Sequence, residues 1–172
     1  MKSLAMTAIL SLASAIVPLY AQTVEVALVE TAFDGAYAAT RSSELVISGV
    51  LDGLFDSGLI GTNSRPVLGD RESFLGYAPG SASVEGLIDY VIVVLAEYGQ
   101  GTPVPECSYR LVRVRDGKEL ARGRVPVAVP ATTSGPEIDK ACSALGSAIS
   151  AACGGVLRGV SASRRKYGYE EA

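Results

Sequence analysis

The 172-residue chain contains no histidine. That absence removes Ser-His-Asp triads, Cys-His dyads, His-ligated zinc and imidazole acid–base catalysis in one step. Tryptophan is missing as well, and only 11 residues are Phe or Tyr, which leaves little for an aromatic binding platform. Three cysteines, Cys107, Cys142 and Cys153, are too few for a disulfide scaffold. They are also odd in number, so at most one bridge can close within a chain. No stretch has the spacing of a P-loop, a dinucleotide fingerprint, a Cys-x-x-Cys pair or a Ca²⁺ loop, so no cofactor and no metal is expected. What is present is apolar. Hydrophobic residues make up 48% of the chain and charged ones 19%, enough for the core of one domain of roughly 150 residues.

The N-terminus opens with Lys2, continues as an apolar run from Leu4 to Val17, and closes its short polar region on Ala21. This is the order of a secretory signal. Fourteen apolar residues are too few for a hydrocarbon core that needs about 20 as helix. Cleavage after Ala21 is expected, with no lipid-anchor Cys following it. The domain plan is then a signal peptide over 1–21, one domain over 22–160, and a flexible tail over 161–172. No later run, Ile88 to Ala96 included, is read as a membrane span, so the mature chain is expected in the periplasm or outside the cell.

Val24 to Val29 is β-branched and reads as the first strand. Thr31 to Thr40 reads as loop, and Ser42 or Ser43 as the cap of a helix with Glu44 in its first turn. Leu45, Val46, Val50, Leu51, Leu54 and Phe55 share one face of that helix, and Gly58 stops it. Gly49 and Gly53, four apart, suggest close packing on a sheet. Leu59 to Asn63 reads as a second strand, Ser64 to Gly80 as an irregular surface stretch, and Ser81 or Ser83 as the start of a short helix ending at Ile88. Asp89 to Tyr98 has a continuous apolar centre, as in a strand covered on both faces. From Ile138 to Leu157 the apolar residues follow i, i+3, i+4 spacing, with Pro136 at the first turn. Cys142 and Cys153 fall on that helix roughly 16 Å apart, beyond the reach of a disulfide. Any bridge must therefore use Cys107; otherwise all three are buried thiols.

Cys107 to Val129 reads as a hairpin around Asp116-Gly117, a pair suited to a two-residue type I′ turn. That register sets Arg115 opposite Lys118. One face then carries Tyr109, Leu111, Arg113, Arg115, Lys118, Leu120, Arg122 and Arg124. The other, smaller and more apolar, carries Val112, Val114, Ala121, Gly123 and Val125 and is turned toward the helices, with Arg110 as its misfit. The fold class is α/β: a mixed parallel and antiparallel sheet of about five strands, helices mainly on one face, and a C-terminal hairpin followed by a long helix.

The apolar strand DYVIVVLAEYG (Asp89 to Gly99) followed by YRLVRVRDGKELARGRV (Tyr109 to Val125), together with LFDSGLIGTN (Leu54 to Asn63), resembles a group of bacterial envelope domains. The group comprises the amino-terminal domain of the Tol-system propeller protein, the outer-membrane activators of penicillin-binding proteins, and the periplasmic domain of the curli secretion channel. The resemblance spans most of Val24 to Leu157 in topology and hydrophobic rhythm. It implies a non-catalytic module that docks onto other envelope proteins. The chain departs from the group in lacking the activators' lipid-anchor Cys and any length for a propeller or pore, so no partner identity carries over.

Charge is divided along the chain. Gln22 to Glu106 sums to −9 and Cys107 to Ala172 to +5. The two halves either attract each other within the fold or offer Arg113, Arg115, Lys118, Arg122 and Arg124 as a docking face for an acidic envelope protein. Nucleic acid does not suit an exported, acidic chain. Asp52 and Asp56, at i, i+4, read as a solvated helix face, and no catalytic residue is assigned. The alternative is a small-ligand carrier or a hydrolase built from carboxylate, Ser and Tyr groups that only a structure could bring together.

Overall fold

A computed structural model describes residues 22–31, 36–79, 87–99, 103–126 and 134–167. The signal sequence over 1–21 and the short helix expected from Ser81 or Ser83 lie outside these residues, apart from the last two positions of that helix. The elements run β1 (Thr23–Glu30), α1 (Ala36–Asp56), β2 (Ile60–Asn63), β3 (Val67–Leu68), α2 (Arg71–Leu75), β4 (Tyr90–Glu97), β5 (Glu106–Arg113), β6 (Lys118–Val125) and α3 (Gly135–Tyr167). The sheet is mixed, as expected, with order β2-β1-β4-β5-β6. β2 pairs with the first half of β1 and β3 with its end, so the two share one edge. β1 and β4 are parallel, and β4, β5 and β6 form the antiparallel meander.

The apolar run of β4 is buried on both sides. Tyr90, Ile92, Val94 and Ala96 face α1 and α3, where they join Val24, Val26, Leu28, Val46, Val50, Leu54, Leu145 and Ile149 in the main core. Val91, Val93 and Leu95 face the other way and pack with Ala27, Val29, Phe74 and Ile88. The helical phase expected for α3 holds at Cys142, Leu145, Ile149, Cys153 and Leu157, all buried. By length and composition Gly135–Val160 is long and apolar enough to cross a membrane. In this fold that stripe lies in the core against the sheet instead. The helix continues to Tyr167, past the point where a flexible tail is expected.

Several local expectations change. α1 starts at Ala36, six residues before the expected cap, and Ser42 and Ser43 are buried within it; the Ala-rich stretch before them has high helix propensity. Its end is as expected. Gly58 takes φ +73°, and the Gly58 and Leu59 amides donate to Phe55 and Leu54 carbonyls, the double bond of a Schellman stop. Phe55 falls off the buried face and is exposed. The stretch after Ser64 holds β3 and α2, the latter capped by Asp70, whose carboxylate accepts from the Ser73 amide at 2.9 Å. Gly49 and Gly53 do not meet the sheet. A Cβ at Gly49 would overlap the Ser143 carbonyl oxygen, and one at Gly53 would overlap the Ser150 hydroxyl. Their role is to let α1 and α3 touch backbone to backbone.

The hairpin differs most. Arg113, not Arg115, pairs with Lys118, and the turn is a 3₁₀ turn over Val114–Asp116 closed by Gly117 at φ +65°. Asp116 accounts for this choice. Its carboxylate takes Arg113 through two bonds of 2.9 and 2.6 Å and the Lys118 amide at 3.2 Å. A bulge then shifts the register between Leu111 and Val112, so Val112 pairs with Glu119 but Leu111 with Ala121. One extra residue reverses the phase of everything beyond it. The side toward the helices therefore carries Tyr109 and Leu111 with Ala121, Gly123 and Val125, and the opposite side carries Arg110 with Glu119, Arg122 and Arg124.

Candidate functional site

Arg113, Arg115, Lys118, Arg122 and Arg124 consequently do not share one face. Arg113 is held by Asp116 at the turn. Arg122 donates to Glu119 through Nε and Nη2, both at 2.8 Å. Arg124 pairs with Glu106 on the neighbouring strand. Arg115 and Lys118, at the hairpin tip, have no described carboxylate within ion-pair distance. The hairpin thus answers most of its charge from its own acids; Arg124–Glu106 and Arg41–Asp139 are ion pairs that join the two halves of the chain.

Arg110 is no misfit in this arrangement. It lies on the α2 side, where Nε reaches Glu119 at 2.6 Å and Nη1 donates to the Phe74 and Leu75 carbonyls at 2.8 and 2.7 Å. Its guanidinium sits 5.7 Å from the Phe74 ring centre. A cation here satisfies carbonyls that the end of a short helix leaves open. Glu119 is shared by two arginines, and hydrogen bonds from Arg122 first and Arg110 second hold its carboxyl below the ordinary range. A carboxylate with a depressed folded pKa contributes stability above its unfolded value, about 4.3, and that contribution is lost as pH falls through the folded one. Glu119→Gln is expected to lower stability at neutral pH and to flatten the acid limb of the melting curve below about pH 4. Parallel acid limbs for the two proteins would show that Glu119 does not hold this charge cluster.

A groove of about 410 Å³ opens at the C-terminal end of β1, between the middle turns of α1 and the segment joining β2 to β3. Ligand sites of open α/β sheets gather at such strand ends. Ile47, Leu51 and Pro66 give it an apolar strip, and Glu30, Glu44 and Arg65 give it charge. Ser43 donates to Glu30 Oε2 at 2.6 Å and lies 2.7 Å from the Tyr98 hydroxyl. Since the single Ser43 proton goes to the carboxylate, Tyr98 must donate to Ser43. Burial pushes the Tyr98 phenol well above its usual range, which keeps that proton in place. Ser64, on the same groove, has a buried hydroxyl oxygen with no hydrogen-bond partner among the described residues. The sequence offered no signal for this cluster. Ser43 lies 13 residues from Glu30 and 55 from Tyr98, and only the parallel pairing of β1 with β4 brings their ends together.

The edge of the sheet beside this groove is apolar and open. Ile60, Val67 and Leu68 are exposed along it, and Phe55 is exposed in the last turn of α1.

No protein-family model matches the chain, and no curated protein is similar to it. Solved structures similar to the chain include the PelC dodecamer from Paraburkholderia phytofirmans (12% identity, 75% of this chain and 85% of that one, TM-score 0.42). They also include lipoprotein GNA1162 from Neisseria meningitidis (15% identity, 72% and 94%, TM-score 0.46). TolB from Acinetobacter baumannii matches over 74% of this chain and 27% of its own length, at 19% identity and TM-score 0.36.

Proposed function

We propose that the chain is an exported, non-catalytic interaction module of the bacterial cell envelope that docks onto another envelope protein. Export rests on the charged, apolar and small-residue order of its first 21 residues. The observation that supports docking is the β2–β3 edge, where Ile60 is 54% and Leu68 71% exposed on the outermost of the described strands. Large apolar side chains left in water along a strand edge mark a surface meant to be covered. A non-catalytic role is consistent with the one hydroxyl–carboxylate pair of the groove, because Ser43 is fully buried and its proton is committed to Glu30. Arg115 and Lys118, at the hairpin tip and in no ion pair with a described residue, are the candidates for an acidic partner.

A photoreactive side chain placed at Leu68 is expected to trap one discrete envelope protein in intact cells. Leu68→Lys should remove that adduct with little change in melting temperature, since exposed substitutions usually stay within about 0.5 kcal/mol. A discrete adduct from Arg115 and none from Leu68 would move docking to the hairpin. No discrete adduct from either position would reject docking.

A further inference from the structure

The groove at the end of β1 has an unusual inventory for a surface cleft. It holds two carboxylates, Glu30 and Glu44, and one guanidinium, Arg65, and none of the three forms an ion pair with a described residue. Between them runs the apolar strip of Ile47, Leu51 and Pro66. Glu30 is the anchored member. Ser43 occupies its Oε2, Tyr98 in turn fixes Ser43, and Oε1 has no described partner. A carboxylate oriented through two hydroxyls, one of them buried, loses little freedom when it accepts a ligand. The Ser64 hydroxyl, buried on the same groove, has no hydrogen-bond partner among the described residues.

We infer that this groove binds a free diamino acid of the L-lysine kind. Such a molecule carries two ammonium groups, one carboxylate and a chain of methylenes, which answers two carboxylates, one guanidinium and an apolar strip group for group. A volume of about 410 Å³ suits a small ligand. Arg65 takes the ligand carboxylate as a bidentate fork, and Glu30 and Glu44 take the ammonium groups. Glu30 is half-buried and Glu44 exposed, so Glu30 makes the stronger contact. The site is independent of docking at the β2–β3 edge and would stand if docking failed.

Titration of the mature chain with L-lysine, followed by calorimetry and by amide shifts, tests this. One saturable site is expected, with shifts concentrated at residues 43–51 and 63–66. L-norleucine, which lacks the ε-ammonium, and L-lysine methyl ester, which lacks the carboxylate, should each bind at least about tenfold more weakly, the scale of one charged hydrogen bond. Arg65→Gln should weaken L-lysine while leaving the methyl ester unchanged, so that the two bind alike. Glu30→Gln should weaken both. The melting temperature of each variant without ligand reports its folding, and Arg65, being exposed, serves as the variant that folds. Equal binding of L-lysine and L-norleucine, retention of the acid–ester difference in Arg65→Gln, or no saturation up to roughly 10 mM would overturn the assignment.

Discussion

Gly146→Val is expected to lower stability by more than about 3 kcal/mol, whereas Gly155→Ala on the same helix is expected to raise it. A Cβ at Gly146 would overlap the Val46 carbonyl oxygen and lie 2.7 Å from the Val50 amide nitrogen. Both atoms belong to the backbone of α1, so no rotamer change relieves the clash, and the two helices must separate. Overpacking usually costs about 1–3 kcal/mol and more where nothing can yield. The gain in helix propensity on replacing glycine is about 1 kcal/mol with alanine and smaller with valine, so the clash decides the sign. Separation also opens the Leu54, Leu145 and Ile149 core, which is held by the same contact. A loss above about 3 kcal/mol is a large share of the 5–15 kcal/mol a domain has. At Gly155 a Cβ meets nothing within 4 Å. There the propensity and chain-entropy terms act alone, for a gain of about 0.4–1 kcal/mol. Denaturant melts of both variants measure the pair of signs. A Gly146→Val protein as stable as its parent would show that α1 and α3 do not meet at this contact.

This contact also marks where local reading of the chain stops. The spacing of Gly49 and Gly53 signals that something approaches closely, but the partner, Gly146 and its neighbours Ser143 and Ser150, lies about a hundred positions away. Spacing carries no information about which surface arrives. By contrast β4 and α3 are legible because each states its environment in its own composition: an unbroken apolar run for a strand covered twice, and a 3.6-residue stripe for a helix covered once. The hairpin shows the intermediate case. Asp116-Gly117 locates the turn correctly, and the parity of Arg113 and Lys118 survives the change from a two- to a four-residue loop. The bulge is what moves Arg122 and Arg124 to the far side. Its one trace in the sequence is the adjacent apolar pair Leu120-Ala121 in a strand that otherwise alternates, and that pair is equally compatible with an unbulged strand. The groove was not legible at all. Ser43 and Tyr98 read separately as a helix cap and a strand end, Glu30 falls just past the first strand, and their meeting is a property of the topology.

The alkaline limb of stability is expected to be steep, and Cys107 and Cys153 are its cause. Both thiols, like that of Cys142, are free and fully buried. Burial pushes Cys107 and Cys153 up to about 12 each, and Cys142 upward as well. An unfolded cysteine titrates near 8.5. Below that pH both states keep their protons and the thiols contribute their full share to stability. Above it the unfolded chain ionises while the folded one does not, so stability falls by about 1.36 kcal/mol per pH unit for each such group. The fall continues until the folded thiols themselves ionise near 12. At pH 10 the expected loss is about 2 kcal/mol per thiol and about 4 kcal/mol for the pair. Confining the comparison to pH 10 and below keeps tyrosine, which is only half ionised at about that value, from dominating the curve. In Cys107→Ala/Cys153→Ala the melting temperature starts lower at pH 7, because each deletion leaves a small void. Its decline from pH 8 to pH 10 should nevertheless be much flatter than that of the parent. The same burial predicts that Cys142 and Cys153 react slowly with a thiol reagent until the protein is denatured. Equal alkaline slopes in parent and double variant, or rapid labelling of both α3 thiols in the folded state, would mean that water reaches the packed interface between α3 and the sheet.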